Sequence, residues 1–453
     1  MNRSLSKLLF LTTERLRGEP FNDVLNKLEK SQFYSRDAIH EQQWTQLKAL
    51  MEHAFANVPF YKRKFMEIGA EPGDFKDLKD FAKFPELTKE DLRVHYADLI
   101  ARDKKRLTSI AKTSGSTGFS LHFPKDRMTT ATQRAAMLRG HRWYGVDIGA
   151  MEGRLWGIPV NFKERMIIRL TDVLLNRFRE REYNLFPDTL DHFFRLLWRR
   201  RPDYLMGYTS MVYQFALYCR EQKLPSHELG LKMVKCTSET IHEYEKITIG
   251  DVFNCPVVSE YGAAETGLIA FECPHGNHHL MSDCVVTEFK EIGDISLDND
   301  LREIIVTVPI NFSFPIIRYK IGDLAAEKNG ICSCGRSLPL IDRIVGRTSN
   351  IVVTPSGQRF HSIIFYYTMK GLQGVGGGVR QFRVVQKSLS NLEISIVKDD
   401  SFGEKSMDYL NRRFFEAFGE EVVITYKFVD IIPREPSGKL RDFISELPNE
   451  RNA

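Results

Sequence analysis

Two hydrophobic patterns divide the chain. In the first hundred residues apolar positions recur at helical spacing, as between Trp44 and Phe55, and Pro59 follows soon after. That spacing predicts helices in this part of the chain. Thr88, with Asp91 three residues later, predicts a capped helix start, because each side chain can accept a hydrogen bond from the other residue's backbone N–H.

From about Leu107 onward, short apolar runs alternate with helical stretches. Alternation of this kind predicts an α/β fold. The clearest strand candidates are 154–160, 202–208, 231–239 and 256–262. Each runs into polar or glycine residues at its carboxyl end, which is where open α/β sheets bind ligands. We therefore expect the functional residues at those strand ends.

Beyond Asp323 the chain changes character again. A Cys-rich turn and the segment 342–350 lead into a final hundred residues of α+β type. We predict a large N-terminal α/β domain over residues 1–346, with stacked β-sheets and flanking helices. Residues 347–453 are predicted to form a small α+β lid domain.

Composition excludes several classes of function. Lys and Arg number 64 against 59 Asp and Glu, a net charge of +5 that does not indicate a nucleic-acid binder. The longest apolar runs are too short for an integral membrane span, and LLFLTT near the start lacks the cleavage site of a signal peptide. Seven cysteines favour reduced thiols or a metal site over a disulfide framework and predict a cytoplasmic protein.

A candidate phosphate-binding loop occupies residues 113–118, TSGSTG. Its glycines and hydroxyl side chains follow a strand-like run, so the loop can direct N–H groups and hydroxyls at phosphate oxygens. A Walker loop is excluded because no Gly-Lys-Ser/Thr follows. The alternative interpretation of the motif by itself is an ordinary polar turn.

Five motifs appear in a fixed order, and together they resemble the adenylate-forming superfamily of acyl-CoA synthetases, adenylation domains and luciferases. They are TSGSTG (113–118), YGAAETG (261–267), RYKIGD (318–323), GR (346–347) and PSGKLR (436–441). Within that superfamily the chain is most similar to the phenylacetate-CoA ligase and CapK-like branch. That similarity rests on VPFYKRKF (58–65), FPELTKEDLR (84–93), PIIRYKIGD (315–323) and CSCGR (332–336).

The resemblance implies a two-step reaction. A carboxylate and ATP give an acyl-adenylate and pyrophosphate, and a thiol, most often that of coenzyme A, then takes the acyl group. A carboxylate that attacks the α-phosphate must overcome like-charge repulsion, so the site needs cations and phosphate-binding donors. The implied cofactors are ATP and Mg²⁺, and the implied partner is a small-molecule carboxylic acid. An acyl carrier protein as acceptor and a homodimer stay open.

The resemblance also implies roles for single residues. Glu265 would bind Mg²⁺, and Lys439 would reach the α-phosphate and the carboxylate together, although a lysine in a polar loop is by itself more often a surface residue. The β- and γ-phosphates would lie on Ser114, Gly115, Ser116, Thr117 and Gly118. Adenine would stack on Tyr261.

The remaining implied roles concern the rest of the nucleotide and the acid. Close to adenine we expect Ser238, Glu239, Gly262 and Ala264. Asp323 would accept hydrogen bonds from the ribose hydroxyls, and Arg347 would lie near the same ribose. The acyl pocket would be lined by Trp156, Gly157, Tyr208, Thr209 and Ala263. Aromatic lining favours an aryl or arylacetic acid.

Two departures from the family pattern leave alternatives open. Many relatives have Pro-Lys after the phosphate loop, whereas this chain has Phe119, and Lys125 comes later as an open substitute. At the hinge, Ser349 and Asn350 stand where relatives often have two acids. One alternative function is transfer to a carrier-protein pantetheine or an amine in polysaccharide or secondary-metabolite biosynthesis. Another is a catalytically silent nucleotide-binding module.

A second constellation suits zinc, since three thiolates and one imidazole match its tetrahedral preference. Its members are Cys273, His279, Cys332 and Cys334. His275 and His278 are rival ligands. His279 is preferred because relatives with the CxCGR motif have a histidine at the matching position. Four protein ligands would make the zinc structural. Four partly buried reduced residues without metal are the alternative.

A basic stretch runs from Arg177 to Arg201. It could bind an anionic partner, such as the phosphates of coenzyme A or a carrier protein, or attach to a membrane surface. The favoured interpretation is the solvated face of a helix. In that case Phe193, Leu197 and their apolar neighbours face inward.

Overall fold

A computed structural model describes residues 3–103, 109–112, 122–156, 162–180, 185–292, 300–347, 351–375, 377–435 and 439–447. The chain divides into two compact units. The first unit comprises Met1–Lys290, Ile304–Ile321 and Ala326–Arg343, and the second comprises Glu291–Glu303, Gly322–Ala325 and Ile344–Ala453. The boundary near Arg347 stays a prediction.

Thirteen α-helices lie within the described ranges. They are α1 Arg3–Arg17, α2 Phe21–Ser31, α3 Arg36–Asn57, α4 Pro59–Glu67, α5 Leu78–Phe81, α6 Lys89–Val94, α7 Arg127–Arg142, α8 Phe162–Leu174, α9 Pro187–Arg200, α10 Thr209–Glu221, α11 Glu243–Phe253, α12 Ile363–Gly371 and α13 Glu404–Phe418. Short 3₁₀ turns occur at Pro72–Asp74, Tyr96–Leu99, Ser226–Leu229 and Leu372–Val375. No helix in the described ranges combines the length and the apolar character that a bilayer span requires.

The helix starts follow the predicted signals. The predicted helix around Trp44 lies inside α3, which ends just before Pro59, and this proline occupies the first turn of α4. The capping box at α6 is confirmed. The Thr88 N–H donates to Asp91 Oδ2 at 2.8 Å, and the Asp91 N–H donates to Thr88 Oγ1 at 3.1 Å.

The described ranges contain nineteen strands. They are β1 Ser109–Lys112, β2 His122–Lys125, β3 Glu152–Leu155, β4 Arg177–Glu180, β5 Tyr204–Tyr208, β6 Met233–Thr237, β7 Val257–Ala263, β8 Gly267–Glu272, β9 His278–Leu280, β10 Val286–Glu291, β11 Leu301–Val308, β12 Ile316–Lys328, β13 Leu340–Arg347, β14 Ile351–Val353, β15 Arg359–His361, β16 Val379–Ser388, β17 Asn391–Lys398, β18 Val423–Phe428 and β19 Phe443–Ser445.

An eleven-stranded sheet organises most of the chain, in the order β10-β11-β12-β13-β9-β8-β7-β6-β5-β3-β4. In this order the neighbours β7, β6, β5, β3 and β4 pair parallel, whereas β7 pairs antiparallel with β8, and β8 pairs antiparallel with β9. The predicted strand runs 202–208, 231–239 and 256–262 contain or overlap β5, β6 and β7. The run 154–160 overlaps the end of β3, and its residues 157–160 lie outside the described residues. The predicted α/β fold is therefore confirmed, and the carboxyl ends of the parallel strands lie at one sheet edge.

Helices cover the parallel strands, and α10 lies at the centre of that core. Its buried face includes Met211, Val212, Phe215 and Cys219, which pack with residues of β5, β6, α9 and α11. Fully burying side chains of this size contributes about 1.5–3 kcal/mol each. This packing holds the parallel strands in a fixed register.

The basic stretch is only partly helical, which corrects its interpretation as a helix face. Residues 187–200 form α9, with Phe193 and Leu197 buried as expected. Arg177 and Arg179, however, lie on strand β4, and both pair with the mostly buried carboxylate of Asp172. Two arginines that alternate along a short edge strand resemble a continuous basic run in the sequence. The carboxylate that neutralises both arginines, Asp172, comes from α8.

The second unit contains its own small sheet and helices. Strands order as β18-β17-β16-β19, and α12 and α13 supply apolar side chains to the same core. Val384, Ile394, Ile396 and Leu410 are fully buried there. The prediction of an α+β C-terminal region is confirmed.

Candidate functional site

The predicted phosphate loop and several neighbours lie outside the described residues. These are Ser114, Gly115, Ser116, Thr117, Gly118, Gly157 and, at the hinge, Ser349 and Asn350. On either side of residues 113–121, β1 and β2 pair antiparallel with Lys112 opposite His122. The chain therefore enters and leaves the predicted loop at adjacent points.

The parallel strands bring the other predicted residues to one edge. Leu155 on β3 is opposite Gly207 on β5, and Gly207 is opposite Cys236 on β6. Cys236 is in turn opposite Ser259 on β7. Just beyond this row, towards the carboxyl ends, lie Trp156, Tyr208, Thr209, Ser238, Glu239 and Tyr261. The order of the strands thus assembles side chains from four separate segments.

Two aromatic rings mark the predicted acyl pocket. Trp156 and Tyr208 stack with ring centroids 4.2 Å apart and planes inclined by 17°. The Arg154 guanidinium lies 5.8 Å from the Trp156 ring centroid. This guanidinium is paired with the buried carboxylate of Glu152, so the aromatic faces are what suits a flat organic acid. Their role as acid-binding residues stays a prediction.

The turn after β6 is tied to the start of α10. The Glu239 carboxylate accepts hydrogen bonds from the Ser210 N–H at 2.8 Å and from Ser210 Oγ at 2.7 Å, and Thr209 Oγ1 donates to the Glu239 carbonyl at 3.1 Å. A carboxylate at a helix N-terminus is favoured by the helix dipole. Ser238 has φ +67°, a left-handed conformation that non-glycine residues adopt mainly where surrounding contacts impose it.

The segment YGAAETG comprises the end of β7, the turn that follows it and the first residue of β8. Tyr261 is buried, and Gly262, Ala263 and Ala264 follow it towards Glu265. A Cβ on Gly262 would lie 2.3 Å from the carbonyl oxygen of Gly267. Only glycine fits at that position, because the two strands approach too closely for any side chain.

Glu265 has a buried lysine nearby. Lys125 on β2 is 8% exposed, and its Nζ donates to Gln133 Oε1 at 2.6 Å. Burial lowers the pKa of Lys125 to about 8, and the carboxylate of Glu265 acts in the opposite direction. Tyr319 contributes a hydroxyl that donates to Glu265 Oε1 at 3.4 Å.

The sequence left open whether Lys125 replaces the missing loop lysine. The structure places its charge beside the predicted Mg²⁺ ligand. The contributions of Gln133 and Tyr319 were missed, because these residues join the cluster only through tertiary packing and form no local motif with Glu265. Tyr319 does lie inside RYKIGD, which is the one sequence signal that could have indicated it.

The two predicted ribose residues lie on neighbouring strands of the large sheet. Asp323 is half-buried on β12, and Arg347 is the last residue of β13. The Arg347 side chain is outside the described residues. Their contact with ribose stays a prediction.

The described residues on both sides of 436–438 are anchored within the second unit. Arg383 on β16 donates from Nη2 to the Pro433 carbonyl at 2.7 Å and from Nε to the Arg441 carbonyl at 3.0 Å. The Glu435 N–H donates to the Lys439 carbonyl at 2.9 Å. Lys439 is half-buried. One arginine thus fixes both ends of the segment that carries the predicted catalytic lysine.

The predicted metal ligands come together in the first unit. One donor atom from each of Cys273, His279, Cys332 and Cys334 lies within 4.8 Å of all the others. The sulfurs of Cys273 and Cys332 are 3.7 Å apart, and Cys334 Sγ is 3.2 Å from His279 Nε2. Zn–S bonds of about 2.3 Å in a tetrahedron separate two sulfurs by about 3.8 Å, so these four residues fit zinc.

Hydrogen bonds and burial set the orientation and the protonation state of the predicted metal ligands. His279 Nδ1 lies 3.0 Å from the Leu338 carbonyl, which directs Nε2 towards the thiols. Burial lowers the pKa of His279 to about 4, which keeps its imidazole neutral as a ligand must be. Burial opposes ionisation of Cys334, but hydrogen bonds from Arg336 lower the pKa of its thiol.

The rival histidines do not join this group. His275 Nδ1 lies 2.8 Å from Ser333 Oγ on the surface, and His278 is absent from the four-residue cluster. All seven cysteines are in the described ranges, and each is a free thiol.

Comparison with solved structures gives the class of fold. A crystal structure of 2-hydroxyisobutyryl-CoA ligase in the postadenylation state, in complex with 2-HIB-AMP, superposes with a TM-score of 0.73 at 20% sequence identity, covering 91% of each chain. The architecture is that of the adenylate-forming ligases.

Sequence comparison identifies relatives with somewhat higher sequence identity. The chain is 25% identical over 373 residues to Protein CapK of Staphylococcus aureus, covering 81% of this chain and 80% of that protein. It is 24% identical over 340 residues to a phenylacetate-coenzyme A ligase of Pseudomonas putida, covering 72% and 74% of the two chains. Residues 352–446 match the model of the CapK C-terminal domain. The resemblance to the phenylacetate-CoA ligase and CapK-like branch is thereby confirmed.

Proposed function

We propose that this protein is an ATP-dependent carboxylate ligase that forms an acyl-adenylate and transfers the acyl group to a thiol, most simply that of coenzyme A. The observation that carries the proposal is the assembly at one sheet edge. Parallel strands end there in the aromatic pair Trp156 and Tyr208, the strained turn at Ser238, and Tyr261, followed by Glu265. Nucleotide and acid would meet where the fold class binds its ligands.

In the first half-reaction a carboxylate oxygen of the acid attacks the α-phosphorus of ATP. The bond from that phosphorus to the bridging oxygen breaks, and pyrophosphate leaves with the electron pair. Glu265 would hold the Mg²⁺ that offsets phosphate charge, and Lys125 supplies a second cation beside it. Lys439 would stabilise the charge that develops on the α-phosphate.

In the second half-reaction a thiolate sulfur attacks the acyl carbonyl carbon, and AMP leaves. Coenzyme A as the acceptor is supported by the relatives named as CoA ligases. A carrier-protein pantetheine or an amine is the alternative, supported by the relative named Protein CapK and by the CapK C-terminal domain. The acid favoured by the stacked aromatic pair is an aryl or arylacetic acid.

We also propose that the Cys273 cluster holds a structural zinc ion. Four protein ligands complete a tetrahedral shell and leave no position for substrate. The ion would tie the turn after β8 to the turn that precedes β13. This role is separate from the proposed chemistry at Glu265.

The ligase proposal is tested by pyrophosphate release. Purified protein receives ATP, Mg²⁺ and a panel of aryl, arylacetic, hydroxy and fatty acids, each with and without coenzyme A. Release that multiplies on adding coenzyme A supports an acyl-CoA ligase and identifies its acid. Release indifferent to coenzyme A favours a carrier protein or an amine.

Variants separate catalysis from binding in the same assay. Glu265→Gln and Lys439→Ala are each expected to lower release about 10²–10³-fold. Glu243→Gln on α11 and Lys387→Ala on β16 change exposed residues of the same type and serve as controls. Unchanged release from Lys439→Ala would show that the proposed mechanism is wrong. Nucleotide binding without release from any acid would favour the catalytically silent module.

A further inference from the structure

The helix α8 presents its apolar side to solvent. Met166, Ile167, Leu170 and Val173 recur at helical spacing along it, and Ile167, Leu170 and Val173 are each 63–64% exposed. Helices of globular proteins normally direct such a stripe inward. In α8 the inward direction is taken instead by positions such as Asp172, which is buried and paired with arginines of β4.

A second exposed stripe lies on α1, which contacts α8 within the first unit. Leu5, Leu8 and Leu16 share one side of α1, and Leu16 is 84% exposed. The opposite side is anchored by Glu14, which is buried and accepts from Arg134 Nη1 at 2.5 Å. The two helices therefore offer aliphatic side chains that the described fold leaves uncovered. We call the exposed residues of α1 and α8 the aliphatic face.

The charges around the aliphatic face are mainly positive. The sequences of α1 and α8 contain seven basic and three acidic residues. Two of those acids, Glu14 and Asp172, are already paired with arginines of the same unit. Arg15, Arg17 and Arg169 are exposed. Cations beside protruding leucines and isoleucines are the composition of helices that lie in a membrane interface.

We propose that the aliphatic face binds the surface of an anionic lipid membrane, with α1 and α8 lying in the interface. Arginine and lysine would contact lipid phosphates while the aliphatic side chains enter the acyl boundary. A second copy of this chain fits less well, because a two-fold contact would bring the basic rims of both copies together. The proposal does not depend on the ligase activity.

Co-sedimentation with vesicles tests the proposal on the full chain. Vesicles of phosphatidylcholine alone are compared with vesicles that also contain phosphatidylglycerol, each at low and high salt. We expect the protein to sediment with the anionic vesicles and to be released by salt, since screening weakens the attraction. A protein that stays in the supernatant with anionic vesicles at low salt would overturn the proposal.

Matched variants identify the surface. Ile167→Glu/Leu170→Glu is expected to weaken vesicle binding by at least about ten-fold, because it removes buried apolar area and adds repulsive charge. The control, Ile247→Glu/Met66→Glu, adds the same charges at exposed apolar positions of α11 and α4 and should bind as the wild type does. Equal binding by the two double variants would contradict the assignment.

A mass measurement addresses the alternative occupant. Light scattering of the wild type without lipid should report a monomer or an oligomer that the Ile167→Glu/Leu170→Glu variant retains. A dimer that dissociates in this variant would assign the aliphatic face to a second copy and overturn the lipid proposal. Thermal unfolding of both double variants checks that each is folded.

Discussion

At the scale of single residues, a buried cation beside a carboxylate is the feature with the clearest chemical consequence. Lys125 is shielded from water by its neighbours and held by Gln133, while Glu265 lies close enough to stabilise its charge. A lysine whose pKa is lowered to about 8 changes charge within the range of ordinary assays. The affinity for an anionic nucleotide should therefore depend on the charge of Lys125.

We predict that MgATP affinity falls as the pH rises from 7 to 9. Lys125 is protonated below its pKa of about 8 and loses its charge as the pH rises through that value. Lys125→Gln should bind MgATP about ten-fold more weakly at pH 7 and lose most of the pH dependence, whereas Lys125→Arg should keep its charge at pH 9. Calorimetric titration at both pH values measures this. Equal affinities for the wild type and Lys125→Gln at pH 7 would contradict the prediction.

The sequence predicted single residues best where the signal was local. Thr88 and Asp91 cap a helix because the capping box needs only neighbours along the chain. Lys125 was left open since its burial depends on α7 and on Glu265, which come from distant segments. For the same reason the outward side of α8 was missed: an amphipathic pattern indicates that a helix has two sides, not which side meets water.

At the scale of elements, short anchored segments determine where functional groups can lie. Arg383 donates hydrogen bonds to the carbonyls of Pro433 and Arg441, which lie on either side of Lys439 along the chain. Loss of this arginine would free the Lys439 segment without touching the lysine. Arg383 is therefore a positioning residue in the proposed mechanism.

Arg383→Ala should lower the rate of adenylation about ten-fold while leaving the transfer of a preformed acyl-adenylate to coenzyme A nearly unchanged. The reason is that Lys439 is proposed to act in the first half-reaction only. Lys387→Ala, on the same strand, is the control, since its side chain pairs with Glu446 on the surface. Equal losses in both half-reactions would indicate general disruption of the second unit.

The cysteine cluster is an element-scale feature as well, because it joins two turns. Cys334→Ser should lower the zinc content of the purified protein and reduce its Tm by about 5–10 °C, since one ligand of a structural site is lost. Cys255→Ser, which changes a cysteine outside the cluster, should do neither. Metal analysis combined with thermal unfolding measures both quantities. A zinc-free wild type with the same Tm as Cys334→Ser would reject the zinc proposal.

Some strands could be predicted from the sequence and others could not. The strands of the α/β sheet were evident from short apolar runs such as 202–208, because these runs alternate with helical stretches along the chain. Strand β4 was hidden in a basic stretch, because Arg177 and Arg179 alternate with other side chains along the strand and their partner, Asp172, comes from α8. The pairing of β7 with β8 requires contacts between Gly262 and the backbone at Gly267, which no propensity encodes.

At the scale of the whole molecule, a buried ion pair links distant parts of the first unit. Arg139 on α7 is fully buried and donates to both carboxylate oxygens of Asp283, with Nη2 to Oδ1 at 3.0 Å, and it donates to the Leu28 carbonyl at 2.9 Å. Burial opposes ionisation of Asp283, but Arg139 holds the pKa of that carboxyl below its usual value. The pair connects α2, α7 and the turn before β10.

Asp283→Asn should destabilise the first unit by about 3–5 kcal/mol, since it leaves a buried arginine without its counter-charge. Because the pKa of Asp283 is lower in the folded than in the unfolded protein, the wild type keeps this stabilisation at neutral pH and loses it as the pH falls through the folded value. Urea unfolding at neutral and acid pH should therefore show a smaller difference between wild type and variant in acid. Asp98→Asn breaks a surface pair with Arg63 and is the control. A cost at neutral pH no greater than that of the control would contradict the prediction.

The order of strands in the large sheet also has a consequence for biosynthesis. Among the residues proposed to hold acid and nucleotide, those that the parallel strands and the turn after β7 contribute run from Trp156 to Glu265, and neighbouring strands must pair before their ends meet. A nascent chain on the ribosome therefore has no nucleotide site until β7 and the turn after it have emerged. Because domains fold as units during synthesis, a bound ATP analogue should protect a stalled nascent chain from protease only when translation has passed this point. Ligand capture by chains of increasing length would thus time the closure of the sheet.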